Sequence, residues 1–370
     1  MKHLPAKLAF AGVVAATVLT MSVGSAYAGF SLTGSGSTLA TPLITSVFIP
    51  DFEAANSGDT VSYSGGGSGA GVAAIAANVG NYGDSDFPMA DDTAVAACSV
   101  CVQIPWALSA TSIVYNLSGV TNLNISGPVL AEIYTGKITM WNDPAIVALN
   151  KGTTLPAAAI VPFWRNDASG DSYVFTSYLS DTYPAFKTAI GVSVQPPFTV
   201  GTGEKGNSGV AGKISSVADS IGYVSTFYSR DDNLHGASVE NASGKFVRPY
   251  PASMTAAAAL IPNSYLTTAN YNTEPVIPDY VAAHGYKPPK VKKGHKAPKV
   301  TALDKDALAA YPLSTFTDLL VRNNSSALAN VQAFAEFALS SAEQAKGPQY
   351  SFAPLPAAVD KWSLAQVKAL

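Results

Sequence analysis

The chain has 370 residues, of which 48% are hydrophobic, 13% charged and 10% aromatic, so it is long enough for about two domains with sizeable cores. That composition excludes a chain disordered overall. The formal net charge of −3 gives no support to nucleic acid as a partner, and an anion, if bound, has to be held by local dipoles.

Lys2 and Lys7 precede an apolar run from Leu8 to Leu19, and Ala26-Tyr27-Ala28 supplies a small-x-small cleavage pattern. Residues 1–28 therefore read as a signal peptide, cut before Gly29. The apolar run is shorter than the ~20 residues a bilayer span needs, and no later run is long enough. With no Cys near the cut, a lipid-modified N-terminus is not expected. The mature chain is expected to be soluble and periplasmic, with release from the cell left open. Losing two Lys and no acid leaves 20 basic residues against 25 acidic ones, a formal charge of −5.

Thr33 to Pro42 is a Gly/Ser/Thr turn, and Leu43, Ile44, Val47 and Phe48 after it form one helical face, with Pro42 suited to the first helical turn. Pro50 predicts a break or kink, because it removes a helix hydrogen bond. Val61 and Tyr63 alternate with polar residues as in a strand, and Ser64 to Gly71 then runs through glycines into an Ala-rich helix over 72–79. As a dinucleotide fingerprint the glycine spacing is loose, and a P-loop is excluded because no Gly-Lys-Ser/Thr follows. Tyr82 to Asp86 reads as a strand end; taken alone, Asp86 reads as a turn residue.

Cys98 and Cys101 are the only cysteines. In an oxidising compartment they default to a local disulfide. Their spacing also fits a thioredoxin-like redox pair, whose usual aromatic-Cys-Gly-Pro context is missing. Zinc is not expected, since there is no second Cys pair and the mature chain holds only His235, His284 and His295.

Ser112 to Leu117 reads as a strand. A helix follows from about Pro128, with Val129, Leu130, Ile133 and Tyr134 on one face and an end near Gly136. The apolar run from Ala158 to Trp164 predicts a short buried strand. After Ser169 a helix is expected, because Phe175, Tyr178 and Leu179 fall at i, i+3, i+4. The turn between holds Arg165, Ser169 and Gly170 at a helix start, whose unpaired N–H groups and dipole suit an anion. Taken alone, it reads rather as an N-cap beside a surface pair of Arg165 with Asp167. Gly203 to Gly209 precedes another helix, and Ile221 to Val224 is a strand. Around 276–303 the composition shifts: Lys287, Lys290, Lys292, Lys293, Lys296 and Lys299 gather among prolines with no acid between them. That stretch reads as a solvated insertion or as a docking patch for an acidic partner. Helical periodicity returns at Phe316 to Val321 and at Val331 to Leu339. The alternation of strands and helices through both halves predicts an α/β architecture, and there is no internal repeat.

Taken in order, these stretches resemble the PstS-type phosphate-binding proteins, the extracytoplasmic receptors of phosphate ABC transporters. Gly34 to Pro42 resembles the family's first phosphate loop, Tyr63 to Val72 its second, and Tyr82 to Asp86 its buried-aspartate segment. Ile133 to Ile138 with Trp141-Asn142-Asp143 resembles its helix-and-turn signature. Arg165 to Leu179, Lys205-Gly206-Asn207 with Gly209, Ile221 to Val224 and Tyr350 to Ala357 also fit. The resemblance implies a two-lobed periplasmic-binding-protein fold, with two crossing strands and a ligand cleft between the lobes. The crossings are expected near Leu108 and Ser314, giving one lobe from 29–108 plus 315–370 and another from 109–314, which carries the basic insertion.

The resemblance further implies phosphate contacts at Thr38, Leu39, Ser68, Asp86, Arg165, Ser169 and Gly170. Backbone N–H groups and hydroxyls would donate to phosphate oxygens, and Arg165 would add a charged fork. Leu39 stands where the family has Phe, at a contact made by backbone N–H. Asp86 would accept a proton from phosphate, which ionised sulfate lacks. Membrane permease and ATPase partners, no cofactor or metal, and a monomeric receptor without catalysis are implied as well. Asp171 departs from the pattern, because the family has Thr there. It joins the ligand set as a second carboxylate if it faces the cleft; otherwise it caps its own helix and points to solvent. Two other readings stand against transport, a secreted phosphatase and a secreted phosphate-binding or adhesive protein on the same fold. The phosphatase lacks Gly-x-Ser-x-Gly around Ser68 and Ser169 and an evident nucleophile–base pair. The adhesive protein has only the basic insertion in its favour.

Overall fold

The structure is a computed structural model that describes residues 29–92, 98–261 and 302–370. The signal-peptide reading of 1–28 and residues 276–301 of the basic stretch lie outside the described residues. The strands found are β1 (Ser31–Gly36), β2 (Thr60–Gly65), β3 (Tyr82–Ser85), β4 (Cys101–Asn116), β5 (Asn124–Ile125), β6 (Val161–Arg165) and β7 (Thr202–Glu204). They continue with β8 (Ser220–Ser225), β9 (His235–Gly236), β10 (Ser238–Glu240), β11 (Phe246–Val247) and β12 (Ser314–Arg322). One sheet runs β2-β1-β3-β12-β4-β8-β6-β7 with β9 also on β4, while β11-β10-β5 form a small separate sheet.

Strand β4 organises the molecule. From Cys101 to Ala110 it pairs antiparallel with β12, and from Thr111 to Asn116 it pairs antiparallel with β8. It is buried at almost every position, as a central strand covered on both faces should be. On one side of the partner change lie β1, β2 and β3; on the other lie β6, β7 and β8. The registers point the C-terminal ends of β1 and β3, and of β6 and β8, toward the place where β4 changes partner. In open α/β sheets that is where ligands are held.

Two aromatic clusters fill the cores. Phe48, Tyr82, Trp106 and Phe334 pack together on the first side, and Tyr134, Phe175, Phe198 and Tyr223 on the second. Full burial of such a side chain contributes roughly 1.5–3 kcal/mol. Cys98 and Cys101 are joined in a disulfide at the entrance to β4, as the sequence predicts.

Four elements differ from expectation. Phe316 to Val321 is not helical but lies in β12, inserted between β3 and β4 with eight of its nine residues buried. A run apolar on both faces carries no period, so helix and strand read alike there. Pro50 does not break its helix: the chain is helical from Thr41 to Ala55, with a π-helical turn at Ile44–Phe48. Ile49 N–H donates to Ile44 O, so the wider turn falls just where Pro50 has no N–H to give. The strand expected from Ala158 begins only at Val161, because Ala158 and Ala159 instead bridge to the turn at Met140 and Trp141. Within Gly203 to Gly209, β7 ends at Glu204 and the helix Gly206–Ser216 already begins.

Candidate functional site

Three strand–turn–helix junctions meet beside the partner change of β4. After β1, residues 37–40 lead into the helix at Thr41; after β2, Gly65 to Gly67 lead into the helix Ser68–Ala76; after β6, residues 166–169 lead into the helix Gly170–Thr182. Gly67 has φ 92°, and a Cβ there would lie 2.7 Å from an Asp167 carboxylate oxygen. Gly69 N–H donates to Ala168 O at 3.0 Å, so the second junction is bonded to the third.

Asp86 leaves the end of β3 into this space and is 2% exposed. Its Oδ2 accepts from Ser37 Oγ at 2.6 Å and from Ser68 Oγ at 2.9 Å. Its Oδ1 is buried and has no hydrogen-bond partner among the described residues. A Cβ on Gly170 would stand 2.5 Å from Asp86 Oδ2 and 2.7 Å from Ser68 Oγ, so only glycine lets this helix start approach so closely. Burial, and next the charge of Asp171, push the Asp86 carboxyl up to about 7, against the lowering pull of the Ser37 and Ser68 hydroxyls.

Arg165 is 1% exposed. Its Nε and Nη2 donate to the two oxygens of Asp167 at 2.7 and 2.5 Å, and its Nη1 donates to Asp171 Oδ2 at 3.1 Å. Asp171 also accepts from Asn207 Nδ2 at 2.7 Å and, on Oδ1, from Thr111 Oγ1 at 2.8 Å. Asn207 Nδ2 reaches Thr38 Oγ1 at 3.0 Å, and Asn207 Oδ1 accepts from Ser225 N–H at 2.7 Å. One amide thus ties the first junction to the carboxylate of the third. Burial works to raise both partners of Arg165. Asp171 stays above the usual carboxylate range, whereas the guanidinium's bonds and charge bring Asp167 below it.

Thr38, Ser68, Asp86, Arg165, Ser169, Gly170 and Asp171 are brought together. Leu39 takes part only through its N–H, which donates to Ser37 Oγ at 2.9 Å, while its side chain is buried in the core. Ser169 is the N-cap, its Oγ accepting from Ser172 N–H. Two expectations are corrected here. Arg165 is buried and Asp167 only partly exposed, so they do not form a surface pair. Asp171 does not point to solvent: it is 1% exposed, because Thr111, Asn207 and Arg165 supply the donors that make burying a carboxylate tolerable. Sequence reasoning missed Ser37 and Thr111 and left Asn207 without a role. Lys205-Gly206-Asn207 already stood out as a turn, but which face of β4 Thr111 takes depends on register.

A family model described as a PBP superfamily domain matches residues 22–342. The chain belongs to the PBP superfamily. The phosphate-binding protein PstS of Pasteurella multocida is 41% identical over 204 residues, covering 55% of this chain and 59% of that protein. The phosphate-binding protein PstS of Xylella fastidiosa is 35% identical over 230 residues, 62% of each chain. The chain therefore spans about three fifths of the length of these curated relatives. Among solved structures, the high affinity periplasmic phosphate-binding protein PfluDING, bound with phosphate, is similar with a TM-score of 0.65 and 21% identity, covering 92% of this chain and 93% of that one. A phosphate-binding protein from Stenotrophomonas maltophilia gives 0.60 and 20%, covering 90% and 93%. These likenesses concern the fold, the two-lobed α/β architecture of periplasmic binding proteins. Within it β4 runs from one part of the sheet to the other, and β12 begins beside the point where β4 changes partner. No helix among the described residues is long and apolar enough to cross a membrane.

Proposed function

We propose that this PBP-superfamily member is the solute receptor of a phosphate ABC transporter, holding one inorganic phosphate between its lobes and delivering it to a membrane permease driven by an ATPase. The observation that carries this reading is the convergence of three helix starts on buried Arg165 and on Asp86, whose Oδ1 is buried and free to accept. Backbone N–H groups at the junctions and the hydroxyls of Thr38, Ser68 and Ser169 are donors for phosphate oxygens. Three of the five guanidinium N–H bonds of Arg165 are taken by Asp167 and Asp171, which leaves two for a ligand. Asp86 Oδ1 is suited to accept from a protonated phosphate and to refuse sulfate. The identity to PstS proteins over more than half of the chain supports the same reading.

The lobes are taken as 29–108 plus 315–370 and 109–314. The change of β4 partner between Ala110 and Thr111 and the start of β12 at Ser314 support these boundaries. The receptor is read as an exported monomer, cut after residue 28. The phosphatase alternative draws little support from the bonding, since Ser37 and Ser68 both donate to the same Asp86 oxygen and neither to a histidine. Calorimetry with phosphate is expected to give one site per chain, and a phosphatase assay no turnover. Absence of both heat and thermal shift at millimolar phosphate would sink the reading.

A further inference from the structure

We propose that Asp171 couples anion capture to proton uptake, so that the cleft binds phosphate in a protonated form and takes a proton from solvent when the dianion is offered. This rests on the phosphate reading above and deepens it.

Among the described residues, the site holds one cation, Arg165, against three carboxylates, Asp86, Asp167 and Asp171. Asp167 engages Nε and Nη2 of Arg165 and Asp171 engages Nη1, so the guanidinium charge is already more than matched before any anion arrives. With Thr in place of Asp171, the pocket would be one negative charge poorer and one donor richer. A fully ionised tetrahedral anion entering the pocket as it stands meets net negative charge in a medium where screening is weak. Protonation relieves that repulsion.

Where the proton goes follows from the hydrogen bonds. Both oxygens of Asp171 are occupied by donors, from Thr111, Arg165 and Asn207, which favours its ionised form. Asp86 has one oxygen held by two hydroxyls and the other buried without a partner among the described residues. The added proton therefore sits between Asp86 Oδ1 and the ligand oxygen facing it, and belongs to the pair rather than to either group. The balance is HPO4²⁻ plus one solvent proton giving bound H2PO4⁻, and only an O–H bond forms.

The other titratable groups around the pair do not offset this. Asp84 on β3 lies beside Asp86, its carboxyl pushed well above the usual range by burial and next by the charge of Asp86, with its own oxygens taking Trp106 Nε1 and Thr317 Oγ1, both at 2.6 Å. Asp318 on β12 faces Asp84 and accepts from Gln103 Nε2. Tyr63 on β2, Tyr223 on β8 and Tyr228 on the helix Thr226–Asp231 are all shifted upward by burial and stay neutral.

Calorimetry of the wild-type chain with inorganic phosphate, in buffers of different ionisation heat, tests this. Near one proton per phosphate should be taken up at pH 8, fading toward pH 6 where free phosphate already carries it, and affinity should fall about tenfold per pH unit above neutrality. In Asp171→Thr and Asp171→Asn, uptake at pH 8 should drop by more than half and phosphate should bind at least tenfold tighter there. Asp171→Thr should also gain measurable sulfate binding. If neither variant folds, Thr111→Val decides, because loss of one donor makes Asp171 easier to protonate and must shift the uptake profile to higher pH. Phosphate binding that is the same at pH 6 and pH 8 and independent of buffer overturns the coupling and leaves the phosphate reading intact. So does proton uptake unchanged in the folded variants. No phosphate binding by the folded wild type removes both.

Discussion

Asp86 shows what burial does to a single group. Its carboxyl moves from 3.8 to about 7, first through burial and then through Asp171. A raised folded-state pKa means stability that is full below the unfolded value and lost as pH rises through the folded one. Wild type and Asp86→Asn are therefore expected to melt alike near pH 4, with the wild type falling behind by up to about 4 kcal/mol by pH 8. Thermal melts across that range check it; parallel profiles would remove the assigned strain. Arg165→Ala should act in two ways at once. It is expected to abolish tight phosphate binding, and it leaves buried Asp171 and partly buried Asp167 without their cation, a loss of about 3–5 kcal/mol in denaturant titration. At this scale the types were legible: an Arg, two Ser and an Asp at turn positions. The mutual bonds were not, because Thr111, Asn207 and Ser37 come from segments far apart in the chain.

At the scale of elements, the junctions depend on glycine where backbones approach. Gly67 sits at φ 92° with Asp167 and Ala168 O within 2.8 Å of where a Cβ would be. Gly67→Ala is expected to lower stability by roughly 1–3 kcal/mol through backbone strain and to weaken phosphate binding by pushing Asp167 off Arg165. A melt and a phosphate titration on the same sample separate the two effects. The Cys98–Cys101 bridge closes so small a ring that its removal should cost only about 2 kcal/mol, and intact mass should shift by two hydrogens on reduction. Most elements were legible from periodicity, turn glycines and N-cap residues. Phe316 to Val321 was not, because a strand buried on both faces has lost the alternation that marks strands.

For the whole molecule, contacts between the parts on either side of the β4 partner change include the Asn207–Thr38 bond and three further places. Gly69 bonds to Ala168; Phe87 stacks on Tyr173 at 5.6 Å, with Tyr173 Oη donating to Asp91; Phe227 stacks on Tyr350 at 6.2 Å while Arg230 donates to Pro348 O and Gln349 O. The last set lies outside the anion site. Phe227→Ala should therefore speed phosphate release several-fold while leaving the pH dependence of binding alone, because it loosens closure without touching Asp86 or Asp171. Stopped-flow release would show it, and an unchanged rate would mean that the stack carries none of the closed state.

The sequence alone determined the α/β class, the three strand–turn–helix junctions, the cysteine pairing and most of the site's residue types. These are local properties, set by side-chain period, by glycine and proline geometry, and by the unpaired donors every helix start carries. Tertiary structure decided which way Asp171 points, that Arg165 is buried against Asp167, that β12 is a strand, and that one oxygen of Asp86 is left to accept. Each of those depends on donors and neighbours that Thr111, Asn207, Ser37, β3 and β4 bring from distant parts of the chain, and no local pattern encodes which of them will meet.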